Sequence, residues 1–284
     1  MKKPIPAIAQ KQVAAFLGPR PRDSHKGMFG SVLVIGGASS LVGAALLAGR
    51  ASLKLGAGSV HVGFLAQDAP AVDVLQPELM LHRALDARHL PQASVIAIGC
   101  GMGISRDAQK LLHEALRLDV TLVLDADALN LLARHADLRA DLRTRKGAAI
   151  ITPHPGEAAR LLGTGTGEVQ KARSQAAQRL ARELNCSVAL KGAETLCVTR
   201  EGMTVVNRTG NPGMSAPGMG DVLTGMIAAF VAQGLDADQA LLLAVHLHGA
   251  AGDALAEHGV GAGMTASEVT DWARWLLNQW TSGR

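Results

Sequence analysis

The chain predicts an α/β fold in which a mostly parallel central sheet carries helices on both faces, and three observations point there. Short apolar runs alternate with longer stretches of helical periodicity, the runs are apolar at nearly every position, and glycine-rich or acidic turns follow their carboxyl ends. Continuous Val, Ile and Leu runs suit strands buried on both faces, as parallel strands are.

The strand candidates come in order at Ser31 to Ile35, Ser59 to Val62, Ser94 to Ile98, Thr121 to Leu124, Ala148 to Ile151 and Ser187 to Leu190. Helical patterns over Gly43 to Leu55, Arg106 to Leu116, Ala128 to Arg134 and Glu168 to Leu184 separate several of them. After Lys191, two short runs, Thr195 to Thr199 and Met203 to Val206, flank the turn Arg200-Glu201-Gly202 and predict an antiparallel hairpin at the sheet edge. A glycine-rich loop from Gly210 to Gly220 follows, then helices over Asp221 to Gln233, Ala237 to His258 and Ser267 to Trp280. The charged stretch from Arg134 to Lys146 reads as a solvated face, Met28 and Met102 as core filler, and Trp272, Trp275 and Trp280 as one packing face of the last helix.

At 284 residues, with no linker, repeat or low-complexity stretch, one domain spanning 1–284 is expected. With 32 Gly, 4 Phe, 3 Trp and no Tyr, the interior must be filled by Leu, Val, Ile, Ala and Met. The net charge of +4 suits small anionic ligands, but scattered cations and few aromatics argue against nucleic acid. Cys100, Cys186 and Cys197 form no metal-binding or disulfide pattern, so a reducing cytoplasm is expected. Met1 to Pro6 lacks the apolar segment of a secretory signal. The uncharged run from Gly27 to Gly49 is broken by Gly36-Gly37-Ala38-Ser39-Ser40, which predicts a strand and a helix rather than a membrane span.

Ligands of parallel α/β sheets sit at the carboxyl ends of the strands. There the chain places Gly36 to Ser40, Gly99 to Gly103, Asp125 to Asn130, Thr152 to Glu157 and Lys191 to Thr195. No complete phosphate-loop or dinucleotide fingerprint occurs. Gly218-Met219-Gly220-Asp221 opens a helix, where free N–H groups and the positive helix end make an anion hole at Gly218, Met219 and Gly220. Asp221 reads there either as a helix cap or as a general base beside a transferring phosphoryl group.

Together with His25-Lys26-Gly27, Gly56-Ala57-Gly58, Gly210 to Met214 and His248-Gly249, these segments resemble the NAD(P)H-hydrate dehydratases of the ribokinase-like superfamily. The resemblance implies a ribokinase-like three-layer fold and dehydration of the S-epimer of NAD(P)H hydrate. ADP would be the co-substrate, converted to AMP and phosphate, with Mg2+ as cofactor. It implies Asp221 as the catalytic base, and Ala44, Gly103, His154 and Asp221 at the hydrate, with Asp127 and Asn130 as further lining residues. Lys191, Gly192, Ala193, Glu194, Thr195 and Gly220 would hold the nucleotide; no metal ligands are implied. It also implies a homo-oligomer, such as a tetramer, and a separate epimerase, since no epimerase domain accompanies this one. The chain departs from the family's Gly-Met-Ala-Thr-Gly-Gly-Thr-Gly-Asp segment, having Ala216, Pro217 and Met219 where two threonines and a glycine are usual. Two alternatives keep the same fold: a kinase of a vitamin precursor that releases a stable ester, and a catalytically weakened nucleotide-binding protein.

Overall fold

The computed structural model describes residues 4–87 and 93–281, so Met1 to Lys3 of the amino-terminal reading lie outside the described residues. Among the described residues, nine strands form one sheet in the order β3-β2-β1-β4-β5-β6-β7-β8-β9. They are β1 (Ser31–Gly36), β2 (Ser59–Phe64), β3 (Met80–Arg83), β4 (Val95–Ile98), β5 (Thr121–Leu124), β6 (Ala149–Ile151), β7 (Ser187–Leu190), β8 (Leu196–Val198) and β9 (Thr204–Val206). All pairings from β3 through β7 are parallel, while β7 with β8 and β8 with β9 are antiparallel, the expected edge hairpin.

The helices are α1 (Gln10–Ala14), α2 (Val42–Lys54), α3 (Ala84–Ala87), α4 (Arg106–Leu116), α5 (Asp127–Arg134) and α6 (Ala136–Thr144). There follow α7 (Pro155–Leu162), α8 (Thr166–Lys171), α9 (Arg173–Leu184), α10 (Met219–Ala232), α11 (Ala237–Glu257) and α12 (Ala266–Thr281). Strand pleating divides each run between two cores: Val32 and Val34 pack with α2, α10, α11 and α12, whereas Leu33 and Ile35 pack with α4 to α9. Helix α10 is apolar almost all round because it packs between α2 and α11 over the sheet. No helix among the described residues is long and apolar enough to cross a membrane.

Several expectations change. The stretch from Arg134 to Lys146 forms α6, which buries Leu138 and Leu142, and Arg145 is not solvated but 8% exposed. Its guanidinium donates to the carbonyls of Leu118, Val120 and Gly147 at 2.7–2.8 Å, tying the entrance of β5 to that of β6. The helix read across Glu168 to Leu184 breaks at Ala172, with φ −135° and ψ 44°. Past the break Arg173 donates to the carbonyls of Leu190, Lys191 and Glu194, bracing the loop after β7. Met102 is core, but Met28 is half exposed. On α12, Trp272 packs on His258 and Trp280 on His246, while Trp275 faces outward at 53% exposure.

Candidate active site

The chain runs from β1 outward to β3, then crosses back to β4 and proceeds the other way, so the order reverses between β1 and β4. Ligands of open α/β sheets sit at such a switch point. Here the loops after the two strands are joined, Gly37 N–H donating to the Cys100 carbonyl at 2.9 Å and Ala38 N–H to that of Gly101 at 2.7 Å, and they pack tightly. A Cβ added to Gly99, whose φ is +127°, would lie 1.9 Å from the Asp125 carbonyl oxygen, and one on Gly36 would lie 2.2 Å from that of Cys100. Ser40, Ala126 and Glu194 hold positive φ without being glycine, and each sits in a loop at this edge. Backbone strain of this kind persists only where the surroundings enforce it, as at functional sites.

Ala126, at φ 49°, turns the two aspartates beside it to different tasks. Asp125 is 1% exposed; its Oδ1 accepts from Lys191 Nζ at 2.7 Å and its Oδ2 from Thr224 Oγ1 at 3.1 Å. Burial works against the Lys191 ammonium, but Asp125 and Glu157 outweigh it and hold the lysine pKa above its ordinary value. Asp127 instead accepts from Gly103 N–H at 2.8 Å and from Asn130 Nδ2 at 3.0 Å, and Asn130 Oδ1 accepts from Arg160 Nε at 3.0 Å. Asp127 and Asn130 therefore form a brace that ties the loop after β4 to α5 and α7. The Gly103 N–H is spent in it.

Helix α10 begins at Met219 with Gly218, φ 87°, as its N-cap and no side-chain cap. Asp221 lies in the first turn but caps nothing, which removes the capping alternative. Burial first, and Asp125 with Asp127 after it, push its carboxyl up to about 6, against the opposing influence of the neighbouring Cys100 thiol and the charge of Lys191. Gly220 is held close to this group: a Cβ there would stand 3.1 Å from Lys191 Nζ and 3.3 Å from Asp125 Oδ2. The first N–H groups of the helix, which have no intrahelical acceptors, thus emerge beside an ammonium.

His154 combines two roles. Its Nδ1 accepts from Gly156 N–H at 2.9 Å and caps α7, which fixes the proton on Nε2, 3.4 Å from Glu157 Oε1. Desolvation, then Lys191 and Arg160, lower its pKa, so it is a neutral donor with half its side chain exposed. Burial raises the pKa of Glu157, whose Oε2 accepts the His154 backbone N–H at 2.7 Å. Ala44 lies in the first turn of α2, where a Cβ on Gly101 would approach its own to 3.0 Å.

A cavity of about 570 Å³ opens on the other side of Gly220, lined by Lys191 to Thr195, Asn207 to Pro212, Met214, Ser215, Met219, Gly220 and His248. The expected nucleotide residues all line it; Ala44, Gly103, Asp127, Asn130 and His154 do not. The structure thus gathers the candidates into two sets that meet at Gly220 and Asp221. Sequence reasoning missed Thr224, Arg173, Asn207 and Thr209, which come together only through the fold. Cys100 was legible only as a member of the loop after β4.

Among the described residues, Cys100, Asp125 and Asp221 form the one group of three side chains whose ligand atoms lie within 4.8 Å of each other. They do not fit a resident Mg2+. Both Asp125 oxygens are already taken, and burial holds the Cys100 thiol protonated, whereas Mg2+ demands an octahedron of oxygens.

Comparison with known proteins gives the family. A family model described as NAD(P)H-hydrate dehydratase matches residues 32–273. The ADP-dependent (S)-NAD(P)H-hydrate dehydratase of Neisseria meningitidis is 41% identical over 266 residues, covering 92% of this chain and 90% of that protein. The bifunctional NAD(P)H-hydrate repair enzyme of Coxiella burnetii is also 41% identical, over 94% of this chain but 54% of its own length. Among solved structures, the ADP/ATP-dependent NAD(P)H-hydrate dehydratase of Bacillus subtilis, co-crystallised with ATP/Mg2+, superposes with a TM-score of 0.86. It is 30% identical and the match covers 98% of this chain and all of that one.

Proposed function

This chain belongs to the NAD(P)H-hydrate dehydratase family, and we propose that it restores NAD(P)H from the S-epimer of its hydrate at the expense of ADP, with Asp221 as the general base. One observation carries the assignment of the base. Asp221 caps nothing in the first turn of α10, is half-buried with its carboxyl pushed up to about 6, and lies beside the free helix N–H groups and the Lys191–Asp125 pair.

The chemistry follows from what hydroxide lacks. It leaves carbon poorly, so the ring hydroxyl must first become a better leaving group. Asp221 takes the hydroxyl proton, the oxygen attacks the terminal phosphorus of ADP, and the bond to AMP breaks. The N–H groups of Met219 and Gly220 and the Lys191 ammonium face the charge that develops on the transferring oxygens. The ring nitrogen lone pair then expels phosphate, and loss of a ring proton reforms the reduced nicotinamide. The products are NAD(P)H, AMP and phosphate.

The cavity beyond Gly220 receives the adenine nucleotide, with Lys191 to Thr195 along one wall. The hydrate lies on the side of Ala44, Gly103 and His154, whose Nε2–H is a neutral donor. The Asp127–Asn130 brace shapes that wall rather than bonding the ligand through its own polar atoms, since those bond within the protein. Mg2+ would accompany the nucleotide phosphates rather than occupy a protein cage, since Cys100, Asp125 and Asp221 do not offer one. The three free buried thiols suit the cytoplasm, and the outward Trp275 suits self-association up to a tetramer. A separate epimerase would supply the S-epimer.

The test is product analysis. With NADH hydrate and ADP, absorbance of NADH should return with AMP and phosphate released in equal amounts, and ADP should give a higher kcat/KM than ATP. A stable phosphate ester with no return of NADH would assign a small-molecule kinase instead; binding without turnover would assign a nucleotide-binding protein.

A further inference from the structure

The loop after β4 carries a side chain for which the proposed chemistry has so far had no use. Cys100 stands between Gly99, φ +127°, and Gly101, φ +57°, and these left-handed residues turn its side chain inward to 1% exposure. Its backbone cannot drift: the Cys100 carbonyl accepts from Gly37 N–H at 2.9 Å, and the missing Cβ of Gly36 is what lets the two loops close to that contact. The thiol sulfur lies within 4.8 Å of a carboxylate oxygen of both Asp125 and Asp221. Each Asp125 oxygen already accepts a hydrogen bond, from Lys191 and Thr224, so Asp221 is the carboxylate with more acceptor capacity to spare.

We propose that Cys100 is a positioning residue for the base: its thiol donates to one oxygen of Asp221, holding the carboxylate ionised with its other oxygen turned to the reacting hydroxyl. The proposal rests on the reading of Asp221 as that base. A thiol suits the task because it is a weak donor that stays a donor. Burial, then the charges of Asp221 and Asp125, raise its pKa well above the ordinary thiol value, so it neither ionises nor competes as a nucleophile. The groups that set the titration of Asp221 come from four elements: Cys100 after β4, Asp125 and Asp127 around the start of α5, Lys191 after β7, and Asp221 itself on α10. Burial is the largest influence on Asp221 and raises it, and the Cys100 thiol is the largest influence in the opposite direction.

The experiment compares the parent with Cys100→Ala and Cys100→Ser. The Asp221 carboxyl is followed by carbon NMR of carboxyl-labelled aspartate, assigned by its absence in Asp221→Asn, alongside pH profiles of kcat and calorimetric ADP binding. In Cys100→Ala the Asp221 titration and the acid limb of kcat should both move up by roughly half a pH unit. Turnover above the limb should fall about tenfold from loss of orientation, with ADP affinity unchanged. Cys100→Ser, which keeps a donor, should restore both. An unmoved Asp221 titration in Cys100→Ala, or a serine variant as displaced as the alanine one, overturns the proposal. The NMR titration decides this even if no dehydration is detected, so failure of the proposed function and failure of the Cys100 role are distinguishable.

Discussion

Replacing Lys191 by Met removes the ammonium but keeps most of the length of the side chain, and its cost follows from what is left behind. Asp125 would lose the partner 2.7 Å from its Oδ1 while its side chain stays 2% exposed. Breaking a buried pair from one side costs about 3–5 kcal/mol, because the remaining charge is neither paired nor hydrated. For 284 residues the unfolding entropy is roughly 0.6 kcal/mol per kelvin, so Tm should drop by roughly 5–8 °C. Asp125→Asn should cost less than this, since Lys191 is 21% exposed at the cavity and water can reach it. The double variant should melt above Lys191→Met alone. Calorimetry on the ligand-free protein gives the three values. Repeating the melts with ADP separates folding from binding: at a hundredfold excess over Kd the parent should gain about 2.7 kcal/mol, and Lys191→Met should lose most of that gain. A Lys191→Met protein that melts with the parent would refute the dry, charged Asp125. One with a full ADP shift would remove Lys191 from the nucleotide site.

Three further outcomes follow from the same geometry. Gly220→Ala should cut nucleotide affinity and turnover at least tenfold by forcing a methyl group to within 3.1 Å of Lys191 Nζ, with calorimetry and kcat as the readouts. Arg145→Met should cost about 3 kcal/mol in thermal melts, leaving the carbonyls of Leu118, Val120 and Gly147 without their donor, and should leave the KM for ADP unchanged. Because burial raises the folded pKa of Asp221 to about 6, above its unfolded value, its stabilising share is complete below pH 4 and is lost as pH rises through 6. Asp221→Asn should therefore melt above the parent at pH 8, and parent kcat/KM should fall as pH drops below about 6.

The parallel sheet was legible because both-face burial leaves an unmistakable apolar run, and six strands lie within two residues of their expected limits. β3 was not, since Met80 to Arg83 is a half-exposed edge strand with two polar side chains among its four residues. α6 and α7 were missed for different reasons. The first carries its two buried leucines within a charged stretch that reads as surface, and the second follows two prolines that read as a loop, although Pro155 only starts the helix. At the site, the strand-end loops were legible as the place where the candidates gather, because the fold must present them at one edge of the sheet. Their division of labour was not readable: Asp125 and Asp127 are near neighbours in sequence, yet the positive φ of Ala126 sends one to Lys191 and the other to Gly103. The glycines of the loop after β4 stood out for closeness alone, and the side chain they aim inward did not.

The most direct test of the account is Asp221→Asn, measured for dehydration of NADH hydrate with ADP at pH 8 beside calorimetric ADP binding and a thermal melt. Asn is nearly isosteric with Asp and cannot accept the hydroxyl proton, so turnover should fall by about 10²- to 10⁴-fold while ADP affinity is kept and Tm does not fall. Since Asp221 caps nothing, no loss of helix structure can supply that effect. An Asp221→Asn protein that binds ADP, melts like the parent and still restores NADH at a comparable rate would contradict the central claim that this carboxylate is the base.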